Sequence, residues 1–355
     1  MFILGATKAC APELTVKDSA KVTAVGVGSA GTKVVSLLSR RSLLVEKYSY
    51  VSCDEGDFST VDQKDTILID SPVDQKLTPS MARGLALASR SKIRNALAGS
   101  EVVFVVAGLG GATGSGLAPM VASIAQECGA LAVGIAIMPF EFEKRMKFYA
   151  GVSLRRLREC SRGVIVLDND TLLRSSQEDT TLADLYDTAN KAAVKALGSL
   201  LLRAGEGPRP VGLNKILGTV FRDGYALMGV SSSGSTDKAE DALAGAVVSI
   251  GKLANAREAD RAVVSLNGDL SLTAPEVGLV VDRVGSATGN QGLDVEYGVD
   301  YSGASQLQLS LLASGFGATK YDDYDPLAKI LGGRVIDDEM DFALPDGLGA
   351  LQACD

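Results

Sequence analysis

The sequence contains no histidine and no tryptophan, and aromatic residues make up only 5% of its 355 positions. Without histidine, the chain can form no Ser-His-Asp triad, no His-ligated metal site and no histidine general base. Any chemistry must therefore come from carboxylates, lysine and arginine, hydroxyls, backbone amides or a bound ion.

Cysteine is also scarce, and none of the five cysteines is spaced as a CxxC pair. An odd number of scattered cysteines is typical of reduced thiols rather than of a disulfide framework. The apolar runs are too short to span a bilayer, and residues 1–15 lack the uninterrupted apolar core of a signal peptide. The sequence therefore predicts a cytoplasmic protein with no direct membrane insertion.

What is present fits a folded protein with a sizeable core, since 46% of the residues are hydrophobic and 22% are charged. The formal net charge of −8 argues against a general nucleic-acid binder, which needs clustered lysine and arginine. We therefore expect no nucleic-acid partner.

The first half of the chain alternates strand-like apolar runs with helical patterns. The strand-like runs are residues 22–27, 48–52, 101–107, 131–138 and 163–167, and the helical ones are residues 33–40, 80–97, 117–127 and 144–160. Continuous apolar strands in this rhythm predict an α/β fold whose parallel sheet is covered on both faces.

The second half has a different pattern of predicted elements. A long Ala- and Leu-rich helix is predicted over residues 181–203 and is followed by a loop rich in glycine and proline. An α+β module then carries predicted helices at 237–253 and 273–284 and strands at 261–266, 294–301 and 306–312, with a capping box from Thr273 to Glu276. The predicted division is 20–180 for the first domain, 181–204 for a central helix, 205–320 for the second domain and 321–355 for an acidic tail.

Gly26, Gly28 and Gly31 form a GxGxxG pattern between a predicted strand and a predicted helix. Glycines let the backbone turn tightly and bring a phosphate to the helix N-terminus. Asp54 follows roughly 20 residues on, where a dinucleotide fold places the acid that binds a ribose. Alone, this loop leaves phosphate binding, dinucleotide binding and a purely structural turn all open.

A second glycine loop covers residues 108–116, where five glycines alternate with two hydroxyl residues between an apolar strand and a helix. Backbone amides and hydroxyls in such a loop form a cradle for an anion. Because the carboxyl ends of parallel strands share one sheet edge, we expect the two loops to bind the same polyphosphate from two sides.

The stretch Gly110-Gly-Ala-Thr-Gly-Ser-Gly116 resembles the signature loop of the tubulin/FtsZ superfamily, with Ala112 in place of the usual third glycine. GVGSAGTK, MPFEFEKRMK, LDNDTLL and DGYALMG follow the family's order, so the resemblance spans residues 21–317 and is greater to FtsZ than to tubulin. It implies a Rossmann-like GTP-binding domain on a parallel sheet, a long central helix and an α+β C-terminal domain. It also implies GTP or GDP as the ligand and leaves room for Mg²⁺ beside it.

The resemblance implies a role for each matched residue at the phosphates. Lys33 stands where the family normally has an asparagine near guanine, and Asp54 falls in the next phosphate-side loop, where an exposed loop carboxylate is the ordinary alternative. The implied phosphate-wrapping residues are Gly28, Ser29, Ala30, Gly31 and Thr32 in the first loop and Gly110, Gly111, Ala112, Thr113, Gly114 and Ser115 in the second.

At the sugar, Glu143 and Lys147 correspond to a Glu-x-x-x-Arg pair of the family, although lysine lacks the bidentate fork of arginine. Tyr186 and Asn190, four residues apart on one helix face, match the aromatic residue that stacks on guanine and the amide that bonds its edge. Asn169 belongs to a loop near base and ribose. A solvated helix start for Glu143 and Lys147, and core packing for Tyr186, are the alternatives.

The loop that carries catalysis in the family departs from its pattern. In FtsZ, an Asn-x-Asp-x-x-Asp loop of the next subunit polarises the attacking water, but the aligned positions here are Pro210, Gly212 and Lys215. Asn214 stands one residue early, where it could orient water weakly, and Lys215 could instead contact the γ-phosphate. Loss of water activation, roughly 10²–10⁴-fold for general acid–base catalysis, predicts weak or absent hydrolysis unless the alignment slips.

The resulting hypothesis is a GTP-binding, FtsZ-like cytoskeletal protein that assembles head-to-tail into filaments for cell division or a related scaffold. Its expected partners are copies of itself, another FtsZ and a membrane-tethering adaptor. Two alternatives stay open: an active FtsZ-type GTPase rescued by other residues or by a partner FtsZ, and an NAD(P)-binding Rossmann oxidoreductase that rests on the first loop and Asp54.

Overall fold

The computed structural model describes residues 16–17, 19–71, 76–173, 181–203, 207–301 and 306–324. The elements of the first half, up to the long helix, are β1 (Val22–Val27), α1 (Gly28–Leu38), β2 (Lys47–Ser52), β3 (Thr66–Leu68), α2 (Pro79–Ala88), α3 (Arg90–Leu97), β4 (Val102–Gly108), α4 (Ala112–Glu127), β5 (Leu131–Met138), α5 (Lys144–Glu159), β6 (Gly163–Asp168), α6 (Asn169–Leu172) and α7 (Leu182–Leu200). The second half adds α8 (Leu213–Val220), β7 (Tyr225–Ser233), α9 (Lys238–Gly251), β8 (Arg261–Gly268), α10 (Ala274–Thr288), β9 (Asp294–Tyr301), β10 (Leu307–Phe316) and a 3₁₀ turn at Lys320–Tyr324.

All the described strands belong to one sheet, in the order β3-β2-β1-β4-β5-β6-β7-β10-β8-β9. The strands from β1 to β6 pair in parallel, and the central ones are buried along almost their whole length and mostly apolar, as expected of a sheet covered on both faces. The α/β prediction with a parallel sheet is confirmed.

The second half continues the same sheet with mixed pairing. β10 lies antiparallel to both β7 and β8, whereas β9 pairs in parallel with β8. The junction between the halves is narrow, because β6 pairs with β7 only at Ile165–Ala226 and Val166–Leu227. Helix α7 lies across this junction, and its Ala193 and Leu197 belong to one apolar cluster with Val35 of the first half and Val263 of the second.

Several elements differ from the sequence-based expectation. The single helix expected over residues 80–97 is divided into α2 and α3, because the Ser89 amide is shared between the carbonyls of Leu85 and Ala86 at 3.1 and 3.2 Å, a pattern common at helix ends. Strands β3 and β7 and helix α8 were not predicted as elements. The capping box at Thr273 and Glu276 is confirmed.

Within the described ranges, no helix combines the length and apolar character needed to cross a bilayer. Among the cysteines there, Cys53 and Cys128 carry free thiols. The tail predicted over residues 321–355 lies outside the described residues from 325 onward, and so does the segment 1–15.

Close approach of α1 to β4 depends on one glycine. A Cβ atom built on Gly31 would lie 2.1 Å from the carbonyl oxygen of Val106. We therefore expect Gly31→Ala to lower the free energy of unfolding by at least about 2 kcal/mol, since a tightly packed site must shift to accept a methyl group. Chemical denaturation followed by circular dichroism measures this change.

Gly84→Ala is the matched control. Gly84 lies on the exposed side of α2, where an added Cβ meets nothing within 4 Å. Alanine there should raise the free energy of unfolding by about 0.5–1 kcal/mol, because glycine is a poor residue for a helix interior. Equal stability of the two variants would contradict the close-packing argument.

Candidate functional site

The two glycine loops lie against each other at the carboxyl edge of the sheet. Strands β1 and β4 are neighbours in register, with Val27 opposite Ala107, so the chain leaves both strands at the same level. A Cβ on Gly28 would lie 3.3 Å from the Gly114 amide nitrogen, and one on Gly108 would lie 2.8 Å from the Ala30 Cβ. The two loops therefore form one continuous surface, which we call the glycine floor.

Helices α1 and α4 begin directly in these loops, and neither N-terminus is capped by a side chain. Their N-cap residues, Val27 and Gly111, have no side-chain acceptor, and neither helix has an acidic residue in its first turn. By contrast, threonine caps the first turn of both α7 and α10. Two uncapped helix N-termini side by side leave backbone amides and two positive dipole ends for an anion.

A cavity of ≈ 570 Å³ opens above this floor. It brings together most of the residues that the resemblance assigns to nucleotide binding, from both loops and from the far wall. These are Gly28, Ser29, Ala30, Lys33, Asp54, Gly111, Ala112, Thr113, Gly114, Glu143, Asn169, Tyr186 and Asn190.

Four residues of the two loops do not line the cavity but shape its floor. Gly31 allows α1 to approach β4, and the Ser115 hydroxyl accepts a hydrogen bond from the Gly110 amide at 2.8 Å. Gly110 has φ +107 and faces Met146, where a Cβ would come within 2.9 Å. Thr32 is fully buried within α1. Their implied contact with phosphate stays a prediction.

Gly111 is different, because nothing in the protein requires glycine there. Its φ of −81° and ψ of 162° suit any residue, and a Cβ at this position meets no atom within 4 Å. The missing side chain leaves open space in the cavity beside the uncapped start of α4. A ligand group that binds close to the Gly111 backbone would occupy that space.

The wall opposite the loops is held by a hydrogen-bonded aromatic group. The Tyr186 hydroxyl donates to Glu143 Oε1, while Glu143 Oε2 accepts from the Phe140 amide at 2.8 Å. The Tyr186 ring packs edge-on against Phe140 with centroids 5.4 Å apart. Burial, reinforced by the Glu143 carboxylate, raises the pKa of Tyr186, so the phenol stays protonated and its ring orientation is fixed.

Lys147 does not face the cavity. Its side chain is only 2% exposed and pairs with Glu141, and its Nζ lies 3.4 Å from the Tyr324 hydroxyl. Burial alone would lower the pKa of Lys147, but these partners raise it above its ordinary value. The lysine is thus a buried cation rather than a solvated residue, and its implied contact with a sugar stays a prediction.

Two acidic residues that sequence reasoning did not single out also line the cavity. Asp57 accepts a hydrogen bond from the Ser52 hydroxyl at 2.5 Å, and Asp187 pairs with Lys191 at 2.6 Å. Their positions in the sequence could have indicated this. Asp57 stands three residues after the predicted site residue Asp54, and Asp187 is the neighbour of the predicted site residue Tyr186 on α7. The Asp54 side chain itself caps a 3₁₀ turn by accepting from the Gly56 amide.

The loop at residues 210–215 is held by bonds to other parts of the same chain. Gly212 adopts φ +84 at the start of α8. The Asn214 amide makes two bonds to the Val16 backbone, at 2.8 Å to its N–H and 2.9 Å to its carbonyl. Lys215 pairs with Glu296 on β9. Within one chain, therefore, neither residue is left to orient water or to contact phosphate.

Comparison with known proteins finds similarity to the family that the glycine loops resemble. The Tubulin/FtsZ family, GTPase domain, matches residues 21–177. The cell division protein FtsZ of Buchnera aphidicola subsp. Schizaphis graminum is 28% identical over 316 residues, which cover 86% of this chain and 82% of that protein.

Solved structures of FtsZ and CetZ proteins are similar to this chain in fold. An empty FtsZ dimer from M. jannaschii superposes with a TM-score of 0.73 at 25% identity, covering 84% of this chain and 88% of that one. CetZ2 from Haloferax volcanii, solved as a GTPγS-bound protofilament, superposes with a TM-score of 0.69 at 25% identity, covering 87% and 98%.

The bonds of Asn214 predict a structural cost that Lys215 should not share. Asn214→Ala should lower the free energy of unfolding by about 1–2 kcal/mol, because it leaves two half-buried backbone groups of Val16 without partners. Lys215→Ala removes only a surface ion pair and should cost less than about 1 kcal/mol. Denaturant titration of both variants makes the comparison, and a larger loss for Lys215→Ala would contradict it.

Proposed function

We propose that the cavity binds GTP or GDP and that copies of the chain assemble head-to-tail into filaments, because the chain is similar to proteins of the tubulin/FtsZ superfamily. The observation that carries the proposal is the pair of uncapped helix N-termini, α1 and α4, which share one glycine floor. A polyphosphate supplies the negative charge that both helix ends favour.

The residues present fit a guanine nucleotide along the length of the cavity. Gly28 and Gly111 leave room for phosphate oxygens at the floor, and Lys33 adds a cation nearby. At the far wall, the Tyr186 ring offers a face for a base. The Asn190 side chain carries a donor and an acceptor together, and guanine presents both on its edge.

We propose further that the chain hydrolyses its nucleotide weakly or not at all. Support comes from the loop at residues 210–215, which has no carboxylate and whose Asn214 and Lys215 are held by Val16 and Glu296. A head-to-tail neighbour that presents this loop would bring no acid to orient water. The bound nucleotide would then persist between subunits.

A second candidate function rests on the contrast between the cavity and that loop. The cavity brings together most of the residues that the resemblance assigns to nucleotide binding, whereas the loop at residues 210–215 carries no carboxylate. A related FtsZ with an intact loop could therefore supply the missing carboxylate in a mixed filament. The NAD(P) alternative is set aside, since the family match covers both glycine loops.

A nucleotide-binding test uses Gly111. Gly111→Val should weaken GTP binding at least about tenfold, equivalent to about 1.4 kcal/mol, because the branched side chain fills the open space beside the α4 N-terminus. The extended backbone there suits valine, so the free energy of unfolding should change by less than about 1 kcal/mol. Isothermal titration calorimetry with GTP and Mg²⁺ measures the affinity.

Gly251→Val is the control for this variant, since its Cβ also meets open space but lies at the end of α9, away from the cavity. It should leave GTP affinity unchanged. If the wild-type protein binds no GTP, or if Gly111→Val binds it normally, the proposed phosphate cradle is wrong.

The fate of the nucleotide tests the second part of the proposal. Wild-type protein with GTP and Mg²⁺ should retain intact bound GTP over hours at high protein concentration. Lys215→Asp should raise phosphate release at least about tenfold, within the range of a restored acid that orients water, and more steeply than linearly with protein concentration.

Lys252→Asp, an exposed lysine after α9 changed in the same way, is the matched control for net charge and should leave release at the wild-type level. Rapid wild-type release that rises more than linearly with protein concentration would show that an intact catalytic site exists between subunits. That result would refute the inactive-loop proposal without touching nucleotide binding.

A further inference from the structure

The 3₁₀ turn at Lys320–Tyr324 follows the last strand of the second half and contacts both halves of the protein. Its Lys320 amide donates to the Leu253 carbonyl at 2.8 Å, and the Tyr321 side chain is fully buried. Helix α5 approaches the turn so closely that a Cβ on Gly151 would lie 2.8 Å from the Tyr321 carbonyl oxygen. Backbone hydrogen bonds and close packing therefore hold the turn in place independently of the Lys320 ammonium group.

The Lys320 side chain reaches from the turn to the end of β6. Lys320 Nζ lies 2.6 Å from Asp168 Oδ2, and the aspartate is wholly buried while the lysine side chain is 25% exposed. The other oxygen, Asp168 Oδ1, accepts from the Asp170 amide at 3.1 Å. A buried carboxylate needs such partners, since burying it unpaired is strongly unfavourable.

The contacts continue from Asp170 to the segment before α5. Asp170 Oδ2 accepts from the Glu141 amide at 2.8 Å, and the Glu141 carboxylate pairs with Lys147. Lys147 Nζ in turn lies 3.4 Å from the Tyr324 hydroxyl, back in the turn. The chain of polar contacts is closed.

Two cavity residues are close neighbours in sequence of members of this closed chain of contacts. Asn169 stands between Asp168 and Asp170, and Glu143 follows Glu141 by two residues. Both line the cavity on the side opposite the glycine floor, and no residue of that floor adjoins a member of the chain of contacts.

We propose that Lys320 is a positioning residue for nucleotide binding: its ammonium fixes Asp168, and through Asp168 and Asp170 it holds Asn169 and the Glu143 segment at the sugar and base end of the cavity. Lys320 does not line the cavity itself. This inference rests on the proposed nucleotide site. It adds that a residue of the second half sets the affinity of a site built by the first.

Lys320→Met is the principal test, because methionine keeps the apolar stem and removes the charge. The dissociation constant for GTP, measured by calorimetry with Mg²⁺, should rise about tenfold. The dissociation constant for tripolyphosphate, which has no sugar or base, should stay within about twofold of the wild-type value. Lys320→Arg, which keeps the charge, should bind GTP within about threefold of the wild-type protein.

Lys64→Met removes a lysine from a surface pair with Asp62, at 3.1 Å and away from the cavity, and should change neither constant. Should Lys320→Met fail to fold, Asp168→Asn provides the second variant, because it keeps the acceptor for the Asp170 amide and loses only the ion pair. Its expected pattern is the same loss for GTP and none for tripolyphosphate.

Unchanged GTP affinity in both variants would overturn the positioning role, and so would equal losses for GTP and tripolyphosphate, which indicate a general loss of structure. Wild-type protein that binds neither compound would refute the proposed function itself. Wild-type protein that binds both, with a selective loss of GTP in the variants, supports the inference.

Discussion

The parallel pairing of β1 with β4 is the constraint on which the rest of the site depends. Because Val27 lies opposite Ala107, two helices begin at the same level and point their N-termini into one cavity. Gly31 and Gly114 make this possible, since a Cβ on either would lie 2.1 Å from a strand carbonyl oxygen. The positive ends of two helix dipoles then act together on whatever anion lies between them.

Much of this arrangement could be predicted from the sequence, because it depends on local signals. A β-branched run followed by closely spaced glycines indicates a strand, a turn and a helix start without reference to the rest of the chain. The same holds for the capping box at Thr273 and Glu276. Elements that depend on tertiary context were missed, including β7, whose central place in the sheet is set by its neighbours β6 and β10.

The side chains were less predictable than the backbone. Lys147 stands at a family position near a sugar, yet its charge is neutralised by Glu141, a residue that precedes it by six positions and gives no periodic signal. Asn214 bonds the backbone of Val16, 198 residues away. Pairings over such distances depend on the folded chain, so spacing along the sequence could not reveal them.

The narrow junction between β6 and β7 has a mechanical consequence. Ile165 and Val166 are the only residues of β6 paired with β7 in the described sheet, whereas the β7–β10 pairing extends along nearly all of β7. Few hydrogen bonds resist a twist of one half of the sheet against the other, so torsional stiffness falls to the structures that cross this line: helix α7 on one face and the turn at Lys320–Tyr324 on the other. A twist of one half of the sheet against the other would therefore act first on the cavity wall that α6 and α7 form, while the glycine floor on β1 and β4 moved as a unit.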